Sequence, residues 1–425
     1  MELKVRKSTL NGRVRIPASK SHTIRAVAIA SLAEGKSFIR NPLKSADALS
    51  SAAAYSAFGA KLNLDDDKCW IIEGCGGRIG CSCDMIDIGN SGTTLRLAAG
   101  SAALASQDVK VLLTGDKQIQ RRPIEPLLKS LNDLGAKCRS LYDNGCAPIE
   151  ITGTLKGGRT EIECVTSQYL SSLLMCCPLA EGDTEIVVTL LNEPDYVKIT
   201  TDWLDWQSIE YESNGPLNYK IRGAQSYKSF DREIPADFSS ATFFLCAAAM
   251  LGGKVVIEGL DYSDSQPDKA VADYLKEMGA DIEFDGSDTI VKTSSLHGID
   301  IDMNRTPDAL PMMAVVGAFA EGTTRLLNVP QARKKETDRI ACMAAELKKM
   351  GADIHELPDG LVINKSKLKA AVVDGNDDHR IVMSMAVAGM LTEGVTTVTT
   401  AEAMNITFPD FTSLMMQIGG NIEMC

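Results

Sequence analysis

The stretch Met278-Gly279-Ala280-Asp281-Ile282-Glu283-Phe284 closes a segment with helical periodicity and begins a short alternating run. A glycine directly after a helix is typical of a left-handed helix C-cap, and the alternation that follows predicts a strand. The same ending recurs four more times along the chain. The five copies are centred on Gly59, Gly135, Gly279, Gly351 and Gly419.

These glycines recur about every 72 residues, except that Gly135 and Gly279 are 144 residues apart (279 − 135), which is twice that interval. A sixth copy is therefore expected near residue 207. There the apolar pattern Trp203-Leu204-Asp205-Trp206-Gln207-Ser208-Ile209 is kept, with Gln207 in place of glycine. The period exceeds the roughly 20–50 residues of most solenoid repeats. Six copies, each with a helix, a strand and room for more, predict an α/β fold with largely buried helices.

The length of the chain indicates two domains. Its 425 residues exceed the roughly 250–300 at which a single hydrophobic core stops growing, so three repeats per domain are expected. With 44% hydrophobic residues, the composition is that of a globular protein, and no apolar run approaches the roughly 20 residues of a membrane span. The first residues alternate like a strand and lack the apolar core of a signal peptide. We therefore expect a cytoplasmic protein.

The charge excludes some classes of partner. A net charge of −12 and a pI near 5.0 argue against nucleic-acid binding, which needs a basic surface. Local groups of Lys and Arg in an acidic chain favour a small anionic ligand instead. Cys69, Cys75, Cys81 and Cys83 lie close together but match no paired C-x-x-C spacing. They predict reduced thiols rather than a zinc site.

The densest cationic cluster is Arg333-Lys334-Lys335-Glu336-Thr337-Asp338-Arg339, with four cations and two carboxylates in seven residues. An apolar helical pattern follows it, and Thr337 or Asp338 can cap that helix. A helix N-terminus presents unpaired N–H groups and positive potential to anions. A solvated helix start with local ion pairs is the simpler interpretation. Similar cationic stretches elsewhere in the chain favour an anion site.

Two further helix starts lie in the first hundred residues. Ser19 or Ser21 can cap an Ala-rich helix that carries Lys20 and Arg25 near its start, while His22 is expected to be exposed. The segment Asp87-Ile88-Gly89-Asn90-Ser91-Gly92-Thr93-Thr94-Leu95-Arg96 predicts a strand exit, a tight turn and a helix. Glycine there allows a ligand to approach the backbone, although the ending of a Walker loop is missing.

Four more segments place polar side chains at predicted helix starts. Arg121-Arg122-Pro123-Ile124 starts the helix that ends at Gly135, and two arginines suit a carboxylate or phosphate. Thr166-Ser167-Gln168 offers neutral side chains that suit hydroxyl groups. Asp308 and Arg380 precede apolar helices. If these helix starts converge, they form a positive pocket that contains Asp308 and Glu336, suited to transfer between two anionic metabolites with acid–base catalysis.

Nine motifs carry a resemblance to a known family. They occur in the order PASKSHTIRA, DIGNSGTTLRL, RRPI, TSQYLSSLLM, PADFSSATFF, PDALP, RKKETDR, DDHRI and TFPDF. Because it carries these motifs in this order, the chain resembles the enolpyruvyl transferases, in particular the branch that acts on shikimate 3-phosphate. The resemblance implies a two-domain inside-out α/β barrel of six βαβαββ repeats, three per domain, with largely buried helices. One domain would be discontinuous, residues 1–18 plus 236–425, and residues 19–235 would form the inserted domain.

The resemblance also implies a reaction. The enolpyruvyl group of phosphoenolpyruvate would pass to the 5-hydroxyl of shikimate 3-phosphate, with release of phosphate through a tetrahedral adduct, in the biosynthesis of chorismate and aromatic amino acids. Asp308 would take the proton of the attacking hydroxyl with Lys20 nearby, and Glu336 would protonate the methylene carbon. No cofactor and no metal is implied. A cytoplasmic monomer is expected that binds neither nucleic acid nor membrane and, with the small Gly92, is inhibited by glyphosate.

The resemblance also implies ligands for each of the two substrates. Shikimate 3-phosphate would be held by Lys20, Ser21, Arg25, Thr166, Ser167, Gln168, Tyr196, Asp308, Gln331 and Lys335. Phosphoenolpyruvate would be held by Lys20, Gly92, Arg122, Gln168, Glu336, Arg339 and Arg380. Three positions depart from the commonest family pattern. Gln331 stands where many relatives have Asn, Glu193 where many have a phosphate-contacting Ser, and Ile406 where one branch has Lys.

Two alternatives remain open. A UDP-N-acetylglucosamine enolpyruvyl transferase usually pairs its first Lys with Asn, whereas Ser21 follows Lys20 here. Such enzymes also usually carry a reactive Cys in a loop near the RRPI motif, and no Cys lies between residues 84 and 137. A non-catalytic paralogue that binds a phosphorylated metabolite is favoured by Glu193 and Ile406. The presence of both Asp308 and Glu336 argues against it, since a binding protein needs neither.

Overall fold

The computed structural model describes all residues from Met1 to Cys425, and the chain divides into two compact units. Unit 1 consists of Met1–Pro17 and Pro235–Cys425, and unit 2 consists of Ala18–Ile234. The boundaries expected from the sequence differ from these by one residue at each crossing. Each unit has its own hydrophobic core, built only from its own residues.

The structure contains 24 strands, most of them three to five residues long. In chain order they are β1 Leu3–Arg6, β2 Gly12–Arg15, β3 Lys36–Arg40, β4 Lys61–Asn63, β5 Cys69–Glu73, β6 Ile86–Asp87, β7 Lys110–Thr114, β8 Lys137–Ser140, β9 Ile149–Thr152, β10 Gly158–Cys164, β11 Thr184–Leu191, β12 Tyr211–Ser213, β13 Asn218–Ile221, β14 Asp231–Glu233, β15 Lys254–Glu258, β16 Asp281–Asp285, β17 Asp288–Lys292, β18 Asp300–Asp302, β19 Thr323–Leu327, β20 Asp353–Leu357, β21 Gly360–Asn364, β22 Val372–Asp374, β23 Val395–Thr399 and β24 Asn421–Met424.

Twelve α-helices alternate with these strands, together with a few short 3₁₀ turns. The helices are α1 Lys20–Leu32, α2 Ala46–Ala57, α3 Gly92–Ala102, α4 Glu125–Asp133, α5 Ser167–Cys176, α6 Pro194–Trp206, α7 Phe238–Met250, α8 Ala270–Glu277, α9 Leu310–Phe319, α10 Arg339–Lys349, α11 His379–Met390 and α12 Phe411–Gln417. None of them has the length and apolarity that crossing a lipid bilayer requires.

The strands form six four-stranded sheets, and each sheet belongs to one βαβαββ repeat. In four sheets, with strands counted along the chain, the first strand runs parallel to the second, and the fourth lies between the second and third and is antiparallel to both. In the other two sheets β14 takes the place of the first strand and β1 that of the fourth, although they come from distant parts of the chain. Unit 2 contains β14-β3-β5-β4, β6-β7-β9-β8 and β10-β11-β13-β12; unit 1 contains β2-β15-β17-β16, β18-β19-β21-β20 and β22-β23-β1-β24. The predicted α/β class with six repeats, three per unit, is confirmed.

The two helices of each repeat are buried to different extents. The first helix, such as α7, is apolar on nearly all sides and lies within the core. The second helix buries one stripe only: in α4, Leu127, Leu128 and Leu131 are buried, whereas Lys129 and Asp133 are exposed. The predicted burial of helices therefore applies fully to one helix per repeat. The N-termini of the buried helices carry most of the side chains that the sequence analysis selected.

Five of the six helix endings form as predicted, because Gly59, Gly135, Gly279, Gly351 and Gly419 all have φ between +88° and +109°. In the sixth copy the left-handed residue is Ser208, with φ +59°, and Gln207 is the C-cap residue that follows the last residue of α6, Trp206. The sequence alignment of that copy was therefore wrong by one residue. Serine adopts this conformation at a modest cost in free energy, so the ending survives without glycine.

Two other local predictions were wrong. Helix α4 begins at Glu125 with Pro126 in its first turn, and the residues Ile119–Arg121 form a 3₁₀ turn instead of the helix start. His22 is buried, because Trp203 donates its Nε1–H to His22 Nδ1 at 3.0 Å.

None of the twelve cysteines forms a disulfide.

Candidate active site

Lys20 is the first residue of α1, whose N-cap is Ser19. Its Nζ lies 3.1 Å from the carboxylate of Asp47, in the first turn of α2, and Asp47 is itself buried. The opposite charges orient the ammonium group toward that carboxylate. Nothing in the sequence pattern marks Asp47, because it belongs to a different helix.

Arg25 is a buried cation in unit 2, with 3% of its surface exposed. Its Nε donates to Thr200 Oγ1 at 2.9 Å, its Nη2 to Ser171 Oγ at 3.3 Å, and its Nη1 to the carbonyl oxygen of Ser21 at 3.0 Å. Burial lowers its pKa to about 10. All three partners are neutral, and a buried charge is costly without a counter-charge. The guanidinium is therefore suited to an anionic ligand.

Gly92 begins α3 and lies directly against Arg122. A Cβ atom on Gly92 would lie 2.5 Å from Arg122 Nη1 and 2.7 Å from Arg96 Nη1, so no side chain fits there without displacing a guanidinium. Arg96 donates to the carbonyl oxygens of Gly92 at 3.0 Å and Pro123 at 2.9 Å. These bonds connect the start of α3 to the turn that carries Arg122, and the sequence analysis did not single out Arg96.

The start of α5 places Ser167 and Gln168 in the first turn, after the N-cap residue Thr166. Gln168 Nε2 donates to Thr93 Oγ1 at 3.1 Å, which joins the starts of α5 and α3. The carboxylate of Glu193 accepts from Thr166 Oγ1, the Ser167 backbone N–H and Ser167 Oγ at 3.1, 3.3 and 3.0 Å. A carboxylate of the chain thus lies at the N-terminus of α5. Half-buried Tyr196 lies in the first turn of α6.

In unit 1, Arg339 is the centre of a buried charge network. It is the first residue of α10 and only 1% exposed. It donates from Nη1 to Asp308 at 2.9 Å, from Nη2 to Glu336 at 2.6 Å, and from Nε to Asp378 at 2.8 Å. The charges of these carboxylates outweigh burial and raise the pKa of Arg339 above its usual value. The two carboxylates selected for acid–base work therefore share one guanidinium.

Asp308 lies in a short 3₁₀ turn just before α9, and 20% of its side chain is exposed. Besides Arg339, it faces Arg380 Nη2 at 3.0 Å and Lys335 Nζ at 3.6 Å. Burial would raise the pKa of this carboxyl, but the charges of Arg380, Lys335 and Arg339 outweigh burial and hold it well below its usual value. Asp308 is therefore ionised and surrounded by the cations predicted to bind substrate anions.

Asp378 connects two helices of unit 1. It is fully buried, caps α11 by accepting from Arg380 N at 2.9 Å, and also accepts from Thr337 Oγ1 at 3.1 Å. Burial raises and Arg339 lowers its pKa, with a net lowering. The next residue, His379, is buried without a hydrogen bond to either ring nitrogen, and burial lowers its pKa to about 3. Both residues belong to the motif DDHRI, but the sequence pattern predicts no role for either of them.

Two predicted positions lie apart from this network. Gln331 is buried in a 3₁₀ turn and donates to Asn304, at 3.3 Å to its side-chain oxygen, rather than to the Asp308 cluster. Ile406 ends another 3₁₀ turn and packs against the core of unit 1. The structure thus groups Asp308, Lys335, Glu336, Arg339 and Arg380 in unit 1. In unit 2 it joins Gly92 to Arg122 and Arg25 to Ser21.

Comparison with known proteins gives consistent matches. The sequence model of the EPSP synthase (3-phosphoshikimate 1-carboxyvinyltransferase) family matches residues 5–415. A 3-phosphoshikimate 1-carboxyvinyltransferase from Acetivibrio thermocellus is 53% identical over 425 residues, covering 100% of both chains. The solved EPSP synthase from Acinetobacter baumannii has a TM-score of 0.83 at 28% identity, covering 99% of each chain. The enolpyruvyl transferase NikO from Streptomyces tendae is similar in fold, with a TM-score of 0.79 at 18% identity, covering 99% of this chain and 98% of NikO.

Proposed function

We propose that this chain, which belongs to the EPSP synthase (3-phosphoshikimate 1-carboxyvinyltransferase) family, transfers the enolpyruvyl group of phosphoenolpyruvate to the 5-hydroxyl of shikimate 3-phosphate. Inorganic phosphate is the second product. The reaction belongs to the biosynthesis of chorismate and the aromatic amino acids. The observation that supports it most is the shared guanidinium of Arg339, because it holds Asp308 and Glu336 together among cations suited to substrate anions.

The proposed chemistry is addition followed by elimination. The 5-hydroxyl oxygen attacks C2 of phosphoenolpyruvate while Asp308 takes the hydroxyl proton and Glu336, which enters this step as a neutral carboxylic acid, gives a proton to C3, which yields a tetrahedral adduct. Glu336 then takes a proton back from C3 as the bond from C2 to the phosphate oxygen breaks, and the double bond forms again. The proton on Asp308 leaves with the phosphate. Positioned acid–base groups of this kind typically accelerate a step by about 10²–10⁴-fold.

The state of Asp308 indicates how the base becomes active. Its lowered pKa makes it a weak base, because a strongly stabilised carboxylate has little affinity for a proton. Arg339 and Arg380, which hold Asp308, are also proposed ligands of phosphoenolpyruvate. The carboxylate and phosphate of that substrate compete for both guanidinium groups. We expect the pKa of Asp308 to rise as phosphoenolpyruvate binds.

The ligands that the family resemblance implies are proposed for both substrates. For phosphoenolpyruvate we propose Lys20, Gly92, Arg122, Gln168, Glu336, Arg339 and Arg380. For shikimate 3-phosphate we propose Lys20, Ser21, Arg25, Thr166, Ser167, Gln168, Tyr196, Asp308, Gln331 and Lys335. Arg25 supports the acceptor site because its three hydrogen-bond partners are neutral, so a phosphate would supply a counter-charge. Lys20, held by Asp47, is proposed for both substrates and for catalysis.

The test is release of inorganic phosphate by the purified chain with both substrates present. We expect turnover with both and none with either alone, and loss of turnover in Asp308→Ala and Glu336→Ala. Turnover with UDP-N-acetylglucosamine in place of shikimate 3-phosphate would assign the chain to the sister reaction. Calorimetric binding of shikimate 3-phosphate without any turnover would identify a non-catalytic paralogue. A folded chain that neither binds nor turns over these substrates would contradict the proposal.

We also propose that the chain acts as a cytoplasmic monomer. Its net charge of −12 and its separate cores in each unit support this, because neither unit needs a partner chain to bury its apolar residues. Light scattering across a range of concentrations tests the oligomeric state. A constant mass of one chain is expected.

A further inference from the structure

Glu193 occupies an unusual place between β11 and α6. Its backbone is left-handed, with φ +58°, and its side chain is 2% exposed. Although it is the N-cap residue of α6, its side chain makes no capping bond to that helix. A non-glycine residue in this conformation is strained, and the strain persists only where the surrounding structure holds it. The side chain therefore has another role than starting α6.

The carboxylate of Glu193 engages the start of α5 instead. One oxygen, Oε2, accepts from Thr166 Oγ1, Ser167 N and Ser167 Oγ, all within 3.3 Å. The start of a helix carries a partial positive charge and favours anions. The chain thus supplies an anion of its own at a place where a ligand anion would otherwise be bound.

Arg25 lies between the same two helices but pairs differently. It donates to the hydroxyl groups of Ser171 in α5 and Thr200 in α6 and to the carbonyl oxygen of Ser21, all of which are neutral. Glu193 thus satisfies the donors at the start of α5, whereas a buried guanidinium nearby remains suited to a further anion. A phosphate group would use both the donors at the start of α5 and the guanidinium of Arg25. The carboxylate of Glu193 occupies only the donors.

We infer that Glu193 is an internal competitor of the acceptor's phosphate group, so that the acceptor binds only when this carboxylate leaves the start of α5. The identity of the acceptor rests on the proposed function. Two anions at hydrogen-bonding distance repel each other strongly, so Glu193 and a phosphate cannot share Thr166 and Ser167. Glu193 therefore sets the affinity for the phosphorylated acceptor and leaves phosphoenolpyruvate unaffected. Glu193 is a specificity-determining residue and takes no part in proton transfer.

Steady-state kinetics of Glu193→Ser and Glu193→Gln test this inference. The KM for shikimate 3-phosphate should fall by about tenfold or more in Glu193→Ser, because both the repulsion and the competition for donors are removed. Glu193→Gln should show a smaller fall, because its amide oxygen still accepts from Ser167. The KM for phosphoenolpyruvate should stay within about twofold in both. Exposed Glu163 on β10 offers a control, since Glu163→Ser changes the net charge equally and should change neither KM.

A second measurement is independent of turnover. Inorganic phosphate should raise the Tm of Glu193→Ser more than that of the natural chain, because only the variant exposes the donors of α5. An unchanged or higher KM for shikimate 3-phosphate, with an equal response of Tm to phosphate, would overturn the inference and make Glu193 a structural cap of α5. If Glu193→Ser does not fold, Glu193→Gln carries both measurements. Absence of turnover in the natural chain would contradict the proposed function, while the comparison with inorganic phosphate would still decide the role of Glu193.

Discussion

Individual residues act in this protein through close contacts that leave no room for substitution. Gly92 is the clearest case, since a Cβ atom there would lie within 2.7 Å of guanidinium atoms of both Arg122 and Arg96. Arg122 is a proposed ligand of phosphoenolpyruvate. The size of residue 92 therefore controls the position of a charge on another segment.

Gly92→Ala should raise the KM for phosphoenolpyruvate by about tenfold, because the methyl group displaces Arg122 and weakens a charge-assisted contact. The natural chain should be inhibited by glyphosate and the variant less so. Initial rates at varied phosphoenolpyruvate and glyphosate measure both effects. Gly80→Ala is the control, since its Cβ would meet only a backbone oxygen at 3.8 Å. Full activity of the natural chain in millimolar glyphosate would contradict the expected inhibition.

Asp308→Asn should lower kcat by about 10²–10⁴-fold, because the amide cannot accept the hydroxyl proton. Arg339 keeps Glu336 and Asp378 as partners, so the variant should remain folded. Phosphate release and far-UV circular dichroism measure the two properties. Asp300→Asn, at an exposed site on β18, should behave like the natural chain. More than a tenth of the natural kcat in Asp308→Asn would exclude Asp308 as the base.

Residue identity could be predicted from the sequence better than residue partnership. Lys20 and Arg339 were selected because they lie in cationic stretches at helix starts, and those signals are local. Their partners Asp47 and Asp378 are 27 (47 − 20) and 39 residues away in the chain. No pattern of composition or spacing connects residues at such distances. Their pairing follows only from the packing of one helix beside another.

The sequence predicted the positions of helices and of their ends better than it predicted which side chains pair. Glycine predicts a helix end because the requirement for a positive φ is local, so five endings were predicted. The sixth was displaced by one residue, since Ser208 adopts the same conformation without being glycine. The start of α4 was misplaced because Arg121-Arg122-Pro123 resembles a helix start, whereas Pro126 occupies the first turn. Local sequence patterns therefore predict that a helix is present. Where two similar patterns lie close together, the predicted end of the helix can be wrong by a few residues.

Asp378 joins α10 to α11, and its removal should affect both helices. Asp378→Ala should lower the free energy of unfolding by about 3 kcal/mol, because α11 loses its cap and the buried Arg339 loses a carboxylate. Urea unfolding followed by circular dichroism measures this change, and the KM for phosphoenolpyruvate should rise with it. Asp338→Ala, which removes only the cap of α10 and a surface pair with Arg333, should cost about 1 kcal/mol. Equal losses in the two variants would contradict the special role of Asp378.

The whole molecule consists of one contiguous unit and one discontinuous unit. The core of unit 2 uses only residues of Ala18–Ile234. All three tryptophans, Trp70, Trp203 and Trp206, lie in this unit. Tryptophan fluorescence therefore reports on unit 2 alone.

A chain limited to residues 18–234 should fold by itself, because it contains three complete repeats and a full hydrophobic core. We expect a cooperative thermal transition in tryptophan fluorescence and in circular dichroism at the same Tm. A chain limited to residues 18–140 is the control, since it lacks the repeat of β10 to β13 and one strand of each of the other two sheets, β9 and β14. A broad, non-cooperative melt of the longer fragment would show that unit 2 depends on unit 1.

The stability of the protein should fall on acidification below about pH 6.5. The unfolded chain protonates His379 near pH 6.5, but the buried residue stays neutral down to about pH 3, so the unfolded state binds more protons between these values. The loss should reach about 2 kcal/mol at pH 5. Asp308 and Asp378, whose pKa values are lowered, add a further loss below about pH 4. Urea unfolding at pH 7 and pH 5 should show the first loss in the natural chain and a smaller one in His379→Gln.

The position of β1 affects the order in which the protein is made. Leu3–Arg6 is made long before its partners, since it pairs with Val395–Thr399 and Asn421–Met424, which leave the ribosome about 390 (395 − 3 = 392) or more residues later. At roughly 5–20 residues per second, translation separates these strands by tens of seconds. The nascent chain meanwhile exposes the unpaired edges of β1, whereas Ala18–Ile234 has emerged completely. Synthesis therefore finishes the inserted unit first, and the surrounding unit closes only after β24 has emerged.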